Sequence, residues 1–209
     1  MSRVLYIKAS PRGAASKSAM IADAYLAALQ ATDPATTIDV LDLATERLPD
    51  FDGDKVAAKM SVITKQPHDG PQKTAWDEIL AIAQRYTAAD RYVFAVPMWN
   101  GGIPYKLKQY IDLIHQPGVL FKLDPAQGYL GLMQGKQAVL AMTSGAFSPA
   151  RQSSAFGTDF HSTYLKAWLN QTGVEDIVEL RCQPTLLTPD PTGDLERALS
   201  AAAQAGQRG

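Results

Sequence analysis

The 209-residue chain has one cysteine, Cys182, and almost no net charge, since 20 Lys and Arg face 21 Asp and Glu. A single cysteine excludes an internal disulfide and a metal site built from several cysteines. The balanced charge argues against sequence-independent binding of nucleic acid, which needs an excess of Lys and Arg. The longest apolar runs, such as 92–98 and 138–142, are far shorter than the roughly 20 residues that span a bilayer. We therefore expect neither nucleic acid nor membrane among its partners.

We also expect no secretory leader and no metal. Met1-Ser2-Arg3 leads directly into the apolar run 4–7, without the long hydrophobic segment and cleavage site of a leader. With the lone cysteine, this predicts a protein of the reducing cytoplasm. The histidines, at 68, 115 and 161, lack the close spacing typical of metal ligands.

Short apolar runs alternate with longer segments of helical period along the chain. We predict five buried strands, at 4–9, 37–43, 91–97, 135–143 and 174–182. Helices are predicted at 18–30, 71–87, 104–115, 161–172 and 190–205, with a short one near 54–60 in a surface excursion over 44–71. Strands that alternate with helices pair in parallel through right-handed crossovers. The sequence thus predicts one α/β domain over 1–209, a five-stranded parallel sheet in the order 2-1-3-4-5 with helices on both faces.

The loop after the first strand, residues 10–18, is rich in small and hydroxyl side chains and leads into a helix. The free N–H groups and the dipole at a helix start favour an anion. Ser10, Ser16 and Ser18 add hydroxyl donors, and Lys17 adds charge. We expect the loop to hold a phosphate group. The alternative is an ordinary turn in which Ser16 only caps the helix.

Two common nucleotide motifs are missing from this loop. A P-loop requires a glycine before its Lys-Ser pair, where this chain has Ser16. The dinucleotide fingerprint requires three spaced glycines, of which only Gly13 is present. We therefore expect neither a P-loop ATPase nor a Rossmann dehydrogenase.

The loop after the third strand, residues 97–104, contains no charged residue. Asn100 offers both a donor and an acceptor, and Gly101-Gly102 permits close approach of the backbone to a ligand. A flat, partly apolar ring would suit such a loop, which lies where the strand order reverses. The alternative is that Trp99 belongs to the core and Asn100-Gly101 is a simple turn.

The serines at 10, 16 and 18, followed by P-M-W-N-G-G-I-P-Y-K-L-K-Q-Y-I-D at 97–112, resemble the FMN-dependent NADH:azoreductases, within the flavodoxin-like NAD(P)H:quinone reductases. The likeness extends to Asp42-Leu43, 118–121, 128–132, Thr158-Asp159 and Tyr164-Leu165. It implies a flavodoxin-like fold, one non-covalent FMN per subunit and a homodimer with the active site at the subunit interface.

The resemblance also implies which residues surround the FMN. The phosphate would be bound by Ser10, Ser16, Lys17 and Ser18. The ring would be lined by Pro97, Met98, Trp99, Asn100 and Gly101. The other edge of the ring would meet Thr143, Ser144, Gly145 and Ala146.

The implied reaction is two-electron, ping-pong reduction of a quinone or azo compound by NADH or NADPH. No catalytic side chain is predicted, because a flavin carries the hydride chemistry itself. Two alternatives stay open: a flavodoxin-type electron carrier, and a flavin-free binder of a phosphorylated small molecule.

Two positions depart from the family pattern. Gly101 stands where an aromatic residue is usual, and Gly145-Ala146-Phe147 stands where a Gly-Gly pair is usual. We expect the missing side chain at 101 to open the acceptor pocket to bulky polycyclic quinones. If φ at 101 is negative, Gly101→Phe should narrow the acceptor range without disturbing FMN.

Three further residues carry expectations of their own. His161 begins a predicted helix near the proposed pocket and is a candidate substrate contact. His115, at the end of a helix, is expected to supply a favourable positive charge there. Cys182 is expected to be a small buried apolar side chain.

Overall fold

Strands and helices alternate along residues 2–68, 70–151 and 153–209, the part of the chain that the computed structural model describes. The strands are β1 (Arg3–Lys8), β2 (Thr37–Asp42), β3 (Arg91–Pro97), β4 (Phe121–Asp124), β5 (Gly128–Gly131), β6 (Gln137–Thr143) and β7 (Asp176–Cys182). The helices are α1 (Lys17–Thr32), α2 (Gly53–Thr64), α3 (Gly70–Ala88), α4 (Tyr105–Ile114), α5 (Ser162–Thr172) and α6 (Pro191–Gln207). Within these residues, no helix is both long and apolar enough to cross a bilayer.

Five of the strands form a parallel sheet in the order β2-β1-β3-β6-β7. Counted along the chain within this sheet, that is the predicted order 2-1-3-4-5, which is confirmed. The remaining two strands, β4 and β5, form an antiparallel hairpin that the sequence did not predict. Each has only four residues, and both are largely exposed, so their apolar periodicity is too short to stand out.

Side chains of β3 alternate between two apolar cores, one on each face of the sheet. Tyr92, Phe94 and Val96 pack with the buried faces of α3, α4 and α5. Val93 and Ala95 pack with α1 and α6. This period of two in a fully apolar strand confirms that helices cover the sheet on both faces.

Several predicted boundaries were wrong by one to four residues. The helix predicted near 54–60 begins at Gly53, where Asp52 caps it by accepting from Lys55 N. It runs to Thr64, after which Lys65 adopts the left-handed conformation that ends the helix. The strand predicted from 174 begins at Asp176, because Val174 N still bonds to Leu169 O at the end of α5. The last helix runs past 205 to Gln207.

The alanine-rich end of α6 stays helical because it packs closely against α1. Ala198 and Ala202 are buried in the core that α1 shares. A Cβ built on Gly206 would lie 2.3 Å from the carbonyl oxygen of Tyr25, so only glycine fits at this crossing.

The carboxyl ends of the strands are level with one another. Lys8 pairs with Asp42, Pro97 with Thr143, and Thr143 in turn with Cys182. The loops that follow these strands therefore leave the sheet along one edge, where ligands of such folds bind.

Candidate functional site

The loop that follows β1 and the first turn of α1 place three serine side chains below the surface. Ser10, Ser16 and Ser18 are buried, and the Ser16 and Ser18 hydroxyl oxygens lie 3.1 Å apart. Ser16 is the N-cap of α1, since its Oγ accepts a hydrogen bond from Ala19 N. Capping uses only an acceptor position of that hydroxyl. One of the two hydroxyl protons serves the Ser16–Ser18 contact, and the other is available to a ligand.

Two backbone donors at the same place are also available. Across the described ranges, the N–H groups of Lys17 and Ser18 have no hydrogen-bond acceptor. This is normal for the first turn of a helix, whose dipole adds partial positive charge. The Lys17 ammonium is directed elsewhere, because it donates to Thr185 O at 3.3 Å. The sequence predicted that the Lys17 ammonium would bind the anion. In the structure, the group of Lys17 that is available to an anion is its backbone N–H.

Residues 99–102 form a tight turn immediately after β3. The N–H groups of Trp99 and Gly102 each donate to the carbonyl oxygen of the other, at 2.9 and 3.0 Å. Between them, Asn100 and Gly101 both have positive φ, 50° and 84°. This pattern matches the type I′ turn that an Asn-Gly pair favours.

The turn settles three expectations about this segment. The alternative that Asn100-Gly101 is a turn is confirmed. The alternative that Trp99 belongs to the core is wrong, since its side chain is 47% exposed. The expectation that Gly101→Phe leaves FMN undisturbed required a negative φ at 101, and that requirement is not met. An aromatic side chain there would strain the loop as well as fill space.

The segment that follows β6 lies against the loop that follows β3. Thr143 and Ser144 are buried, and Thr143 O accepts from Met98 N at 2.7 Å. The carbonyl oxygens of Ser144 and Gly145 accept from the backbone that follows β7. In the described chain, the N–H groups of Gly145 and Ala146 have no acceptor, which leaves them free for a ligand edge.

A cavity of about 930 Å³ opens beside the 99–102 turn. Of the predicted site residues, it brings together Trp99 and Asn100. The structure places the others outside its lining: Ser10, Ser16, Lys17, Ser18, Pro97, Met98, Gly101, Thr143, Ser144, Gly145 and Ala146. These others are buried or half-buried in the adjoining loops and at the adjoining ends of β3, β6 and α1.

Sequence reasoning missed most of the aromatic wall of this cavity. Phe51 and Phe160 line it and were not singled out, and Tyr105 and Tyr164 were named only within the family resemblance. They come from four different segments of the chain, so no local pattern links them. The one available signal was Tyr105, which directly follows the candidate loop.

Two histidine expectations are wrong. Burial, with help from the nearby Lys59 ammonium, lowers the pKa of His115 to about 4. Its Nδ1 also accepts a hydrogen bond from Trp168 Nε1 at 3.2 Å. His115 is therefore neutral near pH 7 and supplies no positive charge to the end of α4.

His161 is fully buried at the start of α5, so a substrate cannot reach its ring. Burial lowers the pKa of His161 to about 4, and the neighbouring Asp159 carboxylate and Val96 backbone oppose this only in part. Neither ring nitrogen has a partner in hydrogen-bonding geometry within the described residues. Cys182 is buried as expected, and burial raises the pKa of its thiol.

Comparison with known proteins supports the fold and the resemblance. A family model described as a flavodoxin-like fold matches residues 2–205. An FMN-dependent NADH:quinone oxidoreductase of Ruegeria pomeroyi is 49% identical over 96% of this chain and 98% of its own. One of the same name from Desulfotalea psychrophila is 39% identical over 97% of this chain and 93% of its own.

Solved structures agree with the overall fold. An azoreductase from Bacillus anthracis superposes with a TM-score of 0.89 over 100% of both chains, at 24% identity, which speaks for the fold alone. An FMN-dependent NADH-azoreductase from the same species, solved in complex with FMN, superposes with a TM-score of 0.87 at 26% identity, over 100% of this chain and 99% of its own. The chain therefore belongs to the flavodoxin-like family whose curated relatives are FMN-dependent NADH:quinone oxidoreductases.

Proposed function

We propose that the chain acts as a single domain over 1–209 that binds FMN without a covalent bond and catalyses reduction of quinones and azo compounds by NADH or NADPH. The observation that carries this proposal is the joint placement, at one edge of the sheet, of the donor-rich 10–18 loop and the cavity beside the 99–102 turn. The first suits a phosphate, and the second suits a flat ring. The 49% identity to a quinone oxidoreductase of similar length supports the same reading.

The donors of the 10–18 loop fit an FMN phosphate. Ser16 and Ser18 share one hydrogen bond between two hydroxyls, so this buried pair retains a proton to donate. The N–H groups of Lys17 and Ser18 add two donors at the start of α1. Ser10 is buried in the same loop and completes the proposed set. Hydrogen bonds to a charged group are the stronger kind, which suits tight binding of a phosphate.

The backbone around the 99–102 turn and after β6 would hold the ring. Pro97 and Met98 lead into the turn, Trp99 and Asn100 line the cavity, and Gly101 lets the backbone approach closely. From the other side, Thr143 and Ser144 fix the segment whose Gly145 and Ala146 N–H groups have no acceptor among the described residues. When bound, FMN would supply the two-electron chemistry, taking hydride from the nicotinamide and passing electrons to the acceptor. Fixed N–H donors would stabilise negative charge on the reduced ring without reorganising.

The cavity would serve donor and acceptor in turn, which is the structural basis for the proposed ping-pong order. Its aromatic walls suit the nicotinamide and the quinone alike. Lys17 and Arg151 lie outside the cavity lining and donate to the carbonyl oxygens of Thr185 and Leu187, so they give no reason to prefer NADPH over NADH.

We also propose that the active form is a homodimer and that it is cytoplasmic, where nicotinamide donors are present. Trp99, Tyr105 and Phe160 expose large apolar areas beside the cavity, and a second subunit would cover part of them. Light scattering on flavin-loaded protein should give twice the mass of the chain. A monomer mass for fully active protein would contradict the dimer.

The function is tested by three measurements in sequence. The purified protein should be yellow, and heat should release FMN, identified by chromatography against FMN and FAD standards. Anaerobic stopped-flow mixing with NADH should bleach the flavin absorbance directly. A quinone or an azo dye added afterwards should restore it.

Each alternative predicts a different failure. An electron carrier would bind FMN but would not be reduced by NADH without a partner enzyme. A flavin-free protein would show no visible absorbance, even after incubation with FMN.

A further inference from the structure

Phe160 is 65% exposed although its backbone is firmly held. The preceding residue, Asp159, accepts hydrogen bonds through Oδ1 from the N–H groups of Ser162 and His161, at 2.7 and 3.1 Å. Asp159 also lies 3.7 Å from the Arg181 guanidinium. The following residue, His161, is fully buried. A large apolar ring is thus held in solvent by a short rigid segment at the start of α5.

The ring lies directly over the turn that follows β3. Phe160 N donates to Gly101 O at 3.1 Å, which ties the two segments together. A Cβ built on Gly101 would lie 3.7 Å from Phe160 Cδ2 and 3.6 Å from Thr158 O. The Phe160 ring therefore lies in van der Waals contact with the point from which a side chain at 101 would begin.

The same ring lines the cavity with Trp99, Asn100 and Tyr105. An exposed apolar group on a rigid backbone at the mouth of an apolar cavity is typical of a ligand-binding surface. It loses little conformational entropy when a ligand packs on it, because its backbone is already ordered.

We propose that Phe160 determines acceptor specificity by forming the aromatic wall that Gly101 cannot supply. The pocket is then closed beside the turn, contrary to the openness expected from Gly101 alone. Its wall would stack on flat acceptors of two or more fused rings and would gain less contact with single-ring acceptors. This inference rests on the proposed function, since it names the acceptor class of the same site.

Phe160→Ala tests the proposal. We expect kcat/KM for a naphthoquinone to fall roughly three- to tenfold, the size of an aromatic contact, and kcat/KM for benzoquinone to change less than twofold. Phe160→Trp should restore the preference for the naphthoquinone. FMN affinity, measured by titrating the apoprotein, should stay within twofold of the wild type. Phe156→Ala is the matched control, because Phe156 is an exposed ring nearby that lies outside the cavity lining, over the Arg151 guanidinium.

A second readout does not depend on turnover. Anthracene-2-sulfonate is a flat three-ring acid that cannot take the place of a quinone in the reaction, and its fluorescence anisotropy reports binding to the purified protein. Its dissociation constant should rise three- to tenfold in Phe160→Ala and stay unchanged in Phe156→Ala.

The two readouts separate the two proposals. Failure of NADH to reduce bound flavin, together with weaker anthracene-2-sulfonate binding in Phe160→Ala, would overturn the proposed function and retain the aromatic wall. Normal flavin reduction, together with a wild-type acceptor ratio and wild-type anthracene-2-sulfonate affinity in Phe160→Ala, would overturn the role of Phe160.

Discussion

In the 10–18 segment that joins β1 to the first turn of α1, the serine side chains are buried. Around the cavity beside the 99–102 turn, the side chains of Trp99, Tyr105 and Phe160 are 47%, 77% and 65% exposed. We refer to these two regions as the phosphate end and the ring end. The phosphate end is one continuous segment whose donors are fixed by a helix cap and by each other. The ring end is assembled from separate segments that meet only in the folded chain.

We therefore expect the phosphate end to set the affinity for FMN and the ring end to set the specificity for the acceptor. Buried donors that lie close together bind an anion strongly, so substitution of any of them should weaken binding of the ligand. Exposed aromatic side chains contribute smaller, adjustable contacts, so substitution there should change which acceptor fits more than whether FMN binds.

The largest expected effect comes from removing the hydroxyls of the phosphate end. Ser16→Ala combined with Ser18→Ala should weaken FMN binding about a hundredfold or more, since each hydrogen bond to a charged group contributes roughly 1.5–3 kcal/mol. Loss of the Ser16 cap should also lower the free energy of unfolding by about 1 kcal/mol. Titration of the apoprotein with FMN measures the first, and urea unfolding measures the second.

The control for this double variant is Asp190→Ala. Asp190 caps α6 by accepting from Gly193 N at 2.9 Å and lies outside the 10–18 loop. It should lower stability by a similar amount and leave FMN affinity unchanged. Wild-type affinity in the double variant would mean that the hydroxyls do not contact the phosphate.

Acid should destabilise the ring end, where His161 lies buried beside Phe160. The pKa of His161 is about 4 in the folded chain and about 6.5 in an unfolded one. The unfolded chain therefore binds more protons between those values, so the free energy of unfolding falls as the pH drops from about 6.5 to 4. The total loss from this residue is roughly 3 kcal/mol.

Urea unfolding at half-unit steps from pH 7 to pH 4 tests this loss. His161→Leu should flatten the pH dependence by up to about 1.4 kcal/mol per pH unit. The same series with His115→Asn should flatten it as well, because the pKa of His115 is also about 4. An unaltered slope in both variants would contradict the neutral, buried state of these side chains.

The smallest effect concerns the turn that supports the ring end. Gly101→Ala should cost about 1–2 kcal/mol of stability, because φ at 101 is 84° and a Cβ is disfavoured there. FMN affinity should fall several-fold with it, since the strained turn holds the proposed ring site.

Gly102→Ala is the matched control for this substitution. Gly102 lies outside the set of positive-φ residues, and a Cβ built on it meets no atom within 4 Å among the described residues. The free energy of unfolding of Gly102→Ala should stay close to the wild type, whereas its FMN affinity is not a control, because Gly102 lines the cavity. Equal effects of the two substitutions would show that backbone strain at 101 is not the cause.

The sequence by itself predicted the sheet order, which the structure confirms, and proposed the 10–18 loop as the phosphate end. Alternating strands and helices permit few parallel arrangements, and the features of the 10–18 loop are local: small residues, hydroxyls and a helix start. It also identified 97–104 as a candidate loop, because a stretch without charge follows a strand that is apolar on both faces. Local patterns of this kind are fixed by neighbours along the chain, so they can be read without the fold.

The tertiary structure alone decided what faces the cavity and which groups stay neutral. Phe160 reaches Gly101 across 59 positions of sequence only because α5 packs beside β3. Lys17 turns to Thr185, and His115 and His161 lose their charge, because burial and distant partners set their surroundings. The sign of φ at Gly101 likewise depends on the reciprocal bonds that close its turn. Long-range contacts and desolvation have no local signature in sequence, since both arise only when separate segments exclude water from one another.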